Sequence, residues 1–468
     1  MKQSIVCISI LLLVTALTAQ APQNIIVMIA DGCGYEHVRA LNYYAWGQDS
    51  MLVFQRFPVQ LSVQTYPLGG GDWNTGRPLH ADDLKRDFTD SAAAGTALST
   101  GCKTWPGYLG LDGWRRPIRH LSELGYEHGK AIGLVTTVVF AHATPASQAV
   151  HHYNRSEYPE IARQLLEESP VRVLMGCGSP AYLTADSTNY KPYDFRYTGG
   201  EKTWREVLAG KPMADCDNDA QGDPWTTIFQ RTTFQSLATG ETPKRLLGVP
   251  LAGKSTQCYR DGGDEMIAYA TPLNPDVPSL AEMSAAALNV LDDDPDGFFL
   301  MIEGGAVDKA AHENWSGRMI EEMEDFHQAV ETVVSWIETH GGWERTLLVV
   351  TADHECGCLL GPGSVVDGDT VRLLPVQNNG AGAMPGMVWL STDHTNMPVP
   401  LYAKGAGCEE FYSKVIATDP SFGRIIDNTG LSRTLHDLWG GWQALPQPAG
   451  APPHPDEFKE GTNPKPQY

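Results

Sequence analysis

Short, almost purely apolar runs recur along this chain, each ending abruptly at Gly, Asp, Glu or a polar turn. They cover residues 24–30, 131–138, 171–175, 297–302 and 347–350. A run of this length without polar alternation, bounded by turn residues, is the pattern of a strand covered on both faces. Between the runs lie segments of helical spacing at 158–168, 279–291 and 320–340. Strands interleaved with helices predict an open α/β architecture with a mostly parallel sheet. In such a sheet, polar residues just beyond the carboxyl ends of the strands face the ligand crevice.

Those positions carry unusual chemistry. Asp31 follows the first run, Glu303 the fourth and Asp353-His354 the fifth, while Asp308 and His312 stand a few residues after Glu303. Carboxylates and imidazoles at the ends of buried strands are costly unless a cation lies between them. The pattern therefore predicts a metalloenzyme. Calcium is not expected: the acidic stretch at 215–219 has calcium-like spacing but lacks the Gly and the closing Glu of a helix–loop–helix site, and reads as a surface turn.

Composition narrows the partners. Fifty-six acidic against 34 basic residues give a net charge of −22, which argues against nucleic acid. A phosphate ligand remains compatible, because bound metals and one or two local arginines set the field inside a pocket. Residues 1–20 read as a signal peptide, so export to the periplasm or the extracellular medium is expected. No other segment reaches the length of a membrane span. The rest divides into a single catalytic body over 21–445 and a Pro-rich, loosely attached tail over 446–468. Insertions are expected near 67–89, 209–262 and 357–391. Eight cysteines follow the leader; their pairing cannot be read from spacing.

Ser91 precedes a small-residue helical stretch, Ala92 to Ala97. Alone, it reads as a helix cap sooner than as a nucleophile. No Gly-x-Ser-x-Gly elbow is present, but a serine facing zinc can be deprotonated without a histidine base. The Asp31-Gly turn, Thr89-Asp-Ser91, His142-Ala-Thr144-Pro with Arg155 downstream, Glu303 to His312, Thr351-Ala-Asp-His354 and Asp393-His394-Thr395 follow one another in this order. In these motifs the chain resembles the alkaline phosphatases over residues 24–400.

The resemblance implies a three-layer sandwich, with a large central sheet flanked by helices and decorated by inserted loops. It also implies two zinc ions and one magnesium ion per chain. Asp308, His312 and His394 would hold one zinc, and Asp31, Asp353 and His354 the other, facing Ser91. Asp31, Thr144 and Glu303 would hold the magnesium, with His142 beside it or coordinating it. Arg155 would clamp the phosphoryl oxygens, and Lys309 would reach the phosphate directly or through water. The implied activity is hydrolysis of small-molecule phosphate monoesters through a phosphoserine. A homodimer is compatible with the family. Alternatives are a phosphodiesterase of the same superfamily and an inactive phosphate- or metal-binding protein. Two departures stand out: Thr395-Asn-Met after His394, and Cys356-Gly-Cys358, where an extra metal contact or a bridge is open.

Overall fold

The computed structural model describes residues 21–71, 73, 80–180, 194–446, 448 and 450–458. The leader expected over 1–20 and the end of the tail lie outside them. The first eight strands are β1 (Asn24–Ala30), β2 (Val59–Gln64), β3 (Ala131–Val139), β4 (Val173–Cys177), β5 (Thr226–Ile228), β6 (Leu246–Gly248), β7 (Phe298–Gly304) and β8 (Thr346–Thr351). Short pieces follow: β9 (Glu355–Cys356), β10 (Leu359–Leu360), β11 (Val365–Asp367), β12 (Thr370–Arg372), β13 (Val388–Trp389) and β14 (His394–Thr395). Then come β15 (Val399–Gly405), β16 (Val415–Asp419) and β17 (Gly423–Asp427).

Eleven of these strands form one sheet in the order β16-β17-β2-β15-β8-β1-β7-β3-β4-β6-β5. Its pairings are parallel except those of β15 with β2 and β8 and of β16 with β17. All seven residues of β1 and all nine of β3 are buried, as expected of strands covered on both faces. Two neighbours on β3 reveal the two covers. Ile132 approaches Gly125 in the Leu121–Glu127 helix, whereas Gly133 lies under Leu291 of the Leu280–Leu291 helix. Successive residues of a strand point to opposite faces, so the two helices belong to opposite layers. The predicted three-layer α/β sandwich is the observed fold.

The elements depart from the expected boundaries in small ways with physical causes. Ser279 caps its helix, accepting the Glu282 N–H, instead of entering it. The helix expected over 320–340 starts earlier, at Ser316. Segment 209–262 contributes β5 and β6 to the sheet edge. Segment 357–391 holds the hairpin pairs β10–β13 and β11–β12, the strands or loops expected there. The described part of the tail touches the body: Arg116 donates to the Pro446 carbonyl at 2.8 Å, and the Arg115 guanidinium sits 4.1 Å from the Phe458 ring centre. Among the described residues no helix is long and apolar enough to cross a membrane.

Candidate metal centre

Four adjacent parallel strands, β8, β1, β7 and β3, bring the site together at their carboxyl ends. Ile29 of β1 is level with Glu303 on one side and Thr351 on the other, and Thr136 of β3 is level with Glu303. Asp31, Glu303 and Asp353 therefore emerge side by side, with His142 and Thr144 just beyond β3. The register of a buried sheet is what converts scattered sequence positions into one cluster. β15 runs the other way, so its amino end reaches the same edge. The preceding β14 pairs with β9 and sets His394 opposite Cys356, two residues after His354.

The ligand atoms fall into overlapping groups, each with one atom per residue and all within 4.8 Å of one another. One group is Asp308, His312, Cys356 and His394; another is Asp31, Asp308 and His354; a third is Asp31, His142 and Glu303. In the first, Asp308 Oδ1 stands 3.4 Å from His312 Nε2 and 3.3 Å from His394 Nε2, and the two imidazole nitrogens are 3.1 Å apart. In the second, His354 Nε2 is 3.5 Å from Asp31 Oδ1, and Asp353 Oδ2, outside that group, lies 3.1 Å from the same nitrogen.

These atoms are set up for a cation. The far nitrogens of His312 and His394 meet the backbone carbonyls of Thr392 and Thr89, at 2.7 and 2.8 Å, which turns their Nε2 atoms inward. Both oxygens of Asp31, Glu303 Oε1, Asp308 Oδ1, Asp353 Oδ2 and Thr144 Oγ are buried without a hydrogen-bond partner among the described residues. So many orphaned buried acceptors are untenable in a folded protein unless ions satisfy them. Burial pushes the Asp31 carboxyl well above its ordinary range, and the neighbouring Asp353, Asp308 and Glu303 charges add to the rise. Burial likewise lifts Glu303 to about 7. Burial lowers His354. It would lower His394 too, but Asp308 carries that imidazole up to about 9. Against burial, Lys309 holds the Asp308 carboxyl well below its ordinary range and His354 lowers Asp353, so ionised carboxylates stand beside Asp31 and Glu303, an arrangement that fits divalent cations.

Ser91 opens the Ser91–Thr100 helix but does not cap it. Asp90 is the cap, with Oδ1 accepting the Ala93 N–H at 3.0 Å. The Ser91 hydroxyl is thus spared for the site and lies 3.2 Å from His354 Nε2. Arg155 reaches the same region: Nη1 donates to Asp90 Oδ2 at 2.9 Å, and Nη2 lies 3.5 Å from His142 Nε2. Lys309 turns to its neighbour Asp308, at 2.9 Å. All twelve residues singled out in the sequence are brought to this region.

Sequence reasoning missed three others. Asp90 holds both the helix and Arg155, and its place just before the serine was the available signal. Thr136 donates to Glu303 and fixes that carboxylate. Glu355, 1% exposed, accepts from Thr395 and from the Leu359 N–H, tying the β9–β14 pair together. No sequence signal pointed to either. Cys356 and Cys358 are both free thiols, so no bridge joins them, and Cys356 alone stands among potential ligands. In the acidic turn, Asp215, Asp217 and Asp223 bring one ligand atom each within 4.8 Å of the others, and Lys244 pairs with Asp217, Asp219 and Asp223 at 2.8, 3.1 and 2.7 Å.

Ion-seeking groups gathered at the strand ends of a parallel sheet define a metal-dependent α/β enzyme. A family model described as alkaline phosphatase matches residues 22–414. Alkaline phosphatase 4 of Bacillus subtilis (strain 168) is 26% identical over 457 residues, spanning 85% of this chain and 87% of that protein. Alkaline phosphatase H of Pseudomonas aeruginosa (strain UCBPP-PA14) is 30% identical over 363 residues, 72% of this chain and 70% of its own. The solved alkaline phosphatase of the Antarctic bacterium TAB5 shares the fold with a TM-score of 0.61 at 22% identity, covering 91% of this chain and 100% of that one. The chain belongs to the alkaline phosphatase family.

Proposed function

We propose that this protein hydrolyses phosphate monoesters to an alcohol and inorganic phosphate, with Ser91 as nucleophile. Ser91 Oγ, freed from capping by Asp90 and aimed at His354 at 3.2 Å, is the observation that carries this reading. Imidazole–carboxylate sets suit zinc and oxygen-rich sets suit magnesium. On that chemistry Asp308, His312 and His394 hold one zinc, Asp31, Asp353 and His354 a second, and Asp31, Thr144 and Glu303 a magnesium, with His142 beside it. When bound, the ions supply Lewis-acid charge to the phosphoryl oxygens and acidify hydroxyl groups at neutral pH.

The protein's own groups then have defined tasks. Ser91 Oγ attacks phosphorus as the ester P–O bond breaks, the alcohol leaves with a proton, and phosphoserine forms. Water then attacks the same phosphorus, and Ser91 Oγ recovers a proton as phosphate departs. Arg155 offers its Nη2 side to the phosphoryl oxygens while Asp90 pins Nη1, which orients the fork before substrate arrives. Lys309 balances the Asp308 charge and lends a positive field to the bound phosphate.

Turnover of a monoester and a diester by zinc- and magnesium-loaded protein, with elemental analysis of the same sample, tests the reading. Monoester preference with at least about two zincs and one magnesium per chain is expected. Equal or greater diester turnover would favour a phosphodiesterase, and no turnover of either a binding protein. The apolar leader supports export, which N-terminal sequencing of secreted protein checks. The homodimer open to the family is checked by sedimentation.

A further inference from the structure

A second constellation of ligand type lies outside the central site. His120, Glu123 and His151 bring one ligand atom each within 4.8 Å of the others. His120 stands at the amino end of the Leu121–Glu127 helix, and its backbone N–H donates to Glu123 Oε2 at 2.8 Å, which fixes the carboxylate. Both carboxylate oxygens then face imidazoles. Oε2 is 3.2 Å from His120 Nδ1, and Oε1 is 3.2 Å from His151 Nε2.

The far side of His151 decides what lies between. Its Nδ1 is 2.7 Å from the Gly110 carbonyl and donates there, since a carbonyl only accepts. In the neutral ring, Nε2 then presents a lone pair to a carboxylate oxygen, an unfavourable pairing unless a cation sits between them. A backbone carbonyl on the outer nitrogen is how ligating histidines are usually held. His120 is 0% exposed, with Nδ1 turned to Glu123 and its ring stacked on that of His151, centres 4.4 Å apart. A zinc ion with bonds of about 2.0–2.2 Å holds its ligand atoms roughly 3–3.5 Å apart, which the two 3.2 Å separations match.

We propose that His120, Glu123 and His151 form a zinc site separate from the central clusters. Two imidazoles and one carboxylate are a three-residue donor set suited to zinc, with a water completing the shell, and unsuited to magnesium. The site ties the Leu121–Glu127 helix to the segment that carries Arg155. That segment is otherwise fastened by the backbone pairing of His152 with Leu109 and by the Arg155 N–H to Gly107. The competing occupant is a proton, which would make His151 an imidazolium bonded to Glu123.

Crystals of the unaltered full chain grown with zinc, with anomalous maps above and below the zinc absorption edge, separate the two. An anomalous peak about 2.0–2.2 Å from the two histidine nitrogens and Glu123 is expected. No peak at this position overturns the proposal, whether or not the central clusters are filled. His151→Gln, compared with its parent by elemental analysis after exhaustive dialysis, should lose one zinc per chain; an unchanged count overturns it. If that variant does not fold, the map on the unaltered protein still decides.

Discussion

Asp90 holds Arg155 and the Ser91 helix with the two oxygens of one carboxylate: Oδ2 meets Arg155 Nη1 at 2.9 Å while Oδ1 caps the helix through Ala93. Oδ2 also accepts the Gly107 N–H at 3.0 Å, so Asp90→Ala removes three contacts at once. The lost cap should lower stability by about 1 kcal/mol. The untethered guanidinium should bind inorganic phosphate about tenfold more weakly, the scale of one charge-assisted hydrogen bond. Asp90→Asn should keep most of the stability and still weaken phosphate inhibition. Thermal melts and product-inhibition constants measured side by side check the split.

Gly32 makes the turn after β1 with φ +74°, and a Cβ there would lie 2.9 Å from both Cα and Cβ of Asp308. Gly32→Ala should cost about 1–2 kcal/mol for the left-handed backbone alone. Pushing Asp308 aside should also lower turnover by about 100-fold, the penalty of an ångström-scale displacement. A near-normal melting temperature would contradict the first part, and near-normal turnover the second.

Removing divalent ions should destabilise as well as inactivate. Asp31, Glu303, Asp308 and Asp353 are at most 1% exposed, and without cations they repel one another in a dry site. Ions present at 1,000 times their dissociation constant contribute about 4 kcal/mol per site. Chelated protein should melt well below the loaded form and recover when zinc and magnesium return. An unchanged melting temperature after complete ion removal would count against the metal centre.

Glu322 predicts a pH effect on stability. Burial, with the Asp325 and Glu321 charges adding, pushes it up to about 8 against the opposing pull of Arg260 and Arg318. The folded state then holds this proton more tightly than the unfolded chain does. Its contribution to stability is full below the ordinary value near 4.5 and is lost as pH rises through about 8. Asp325, lifted to about 7 by burial first, acts in the same direction. The melting temperature of the parent minus that of Glu322→Gln should fall from pH 5 to pH 8. A difference that rises over that range contradicts the assignment.

Much of the site was legible because buried strands advertise themselves. The runs ending at Ala30 and Ile302, and the one before Asp353, are apolar on both faces, so a carboxylate at each end stood out. What the chain alone could not reveal was adjacency. β7 and β8 flank β1 only through crossovers that no local pattern records, and His394 enters through the two-residue pairing of β14 with β9. Thr136 and Glu355 act by fixing other side chains, and their spacing carries no trace of that. The serine was ambiguous for a different reason: Asp90 and Ser91 are both good cap residues, and only the folded geometry shows which one the helix uses.

The most direct measurement is to quench the metal-loaded protein with acid during turnover of a phosphorus-labelled monoester and to map the labelled peptide. Label on the peptide containing Ser91, absent from Ser91→Ala, is the predicted result. Full turnover with no label retained, or label retained on another residue, would contradict it.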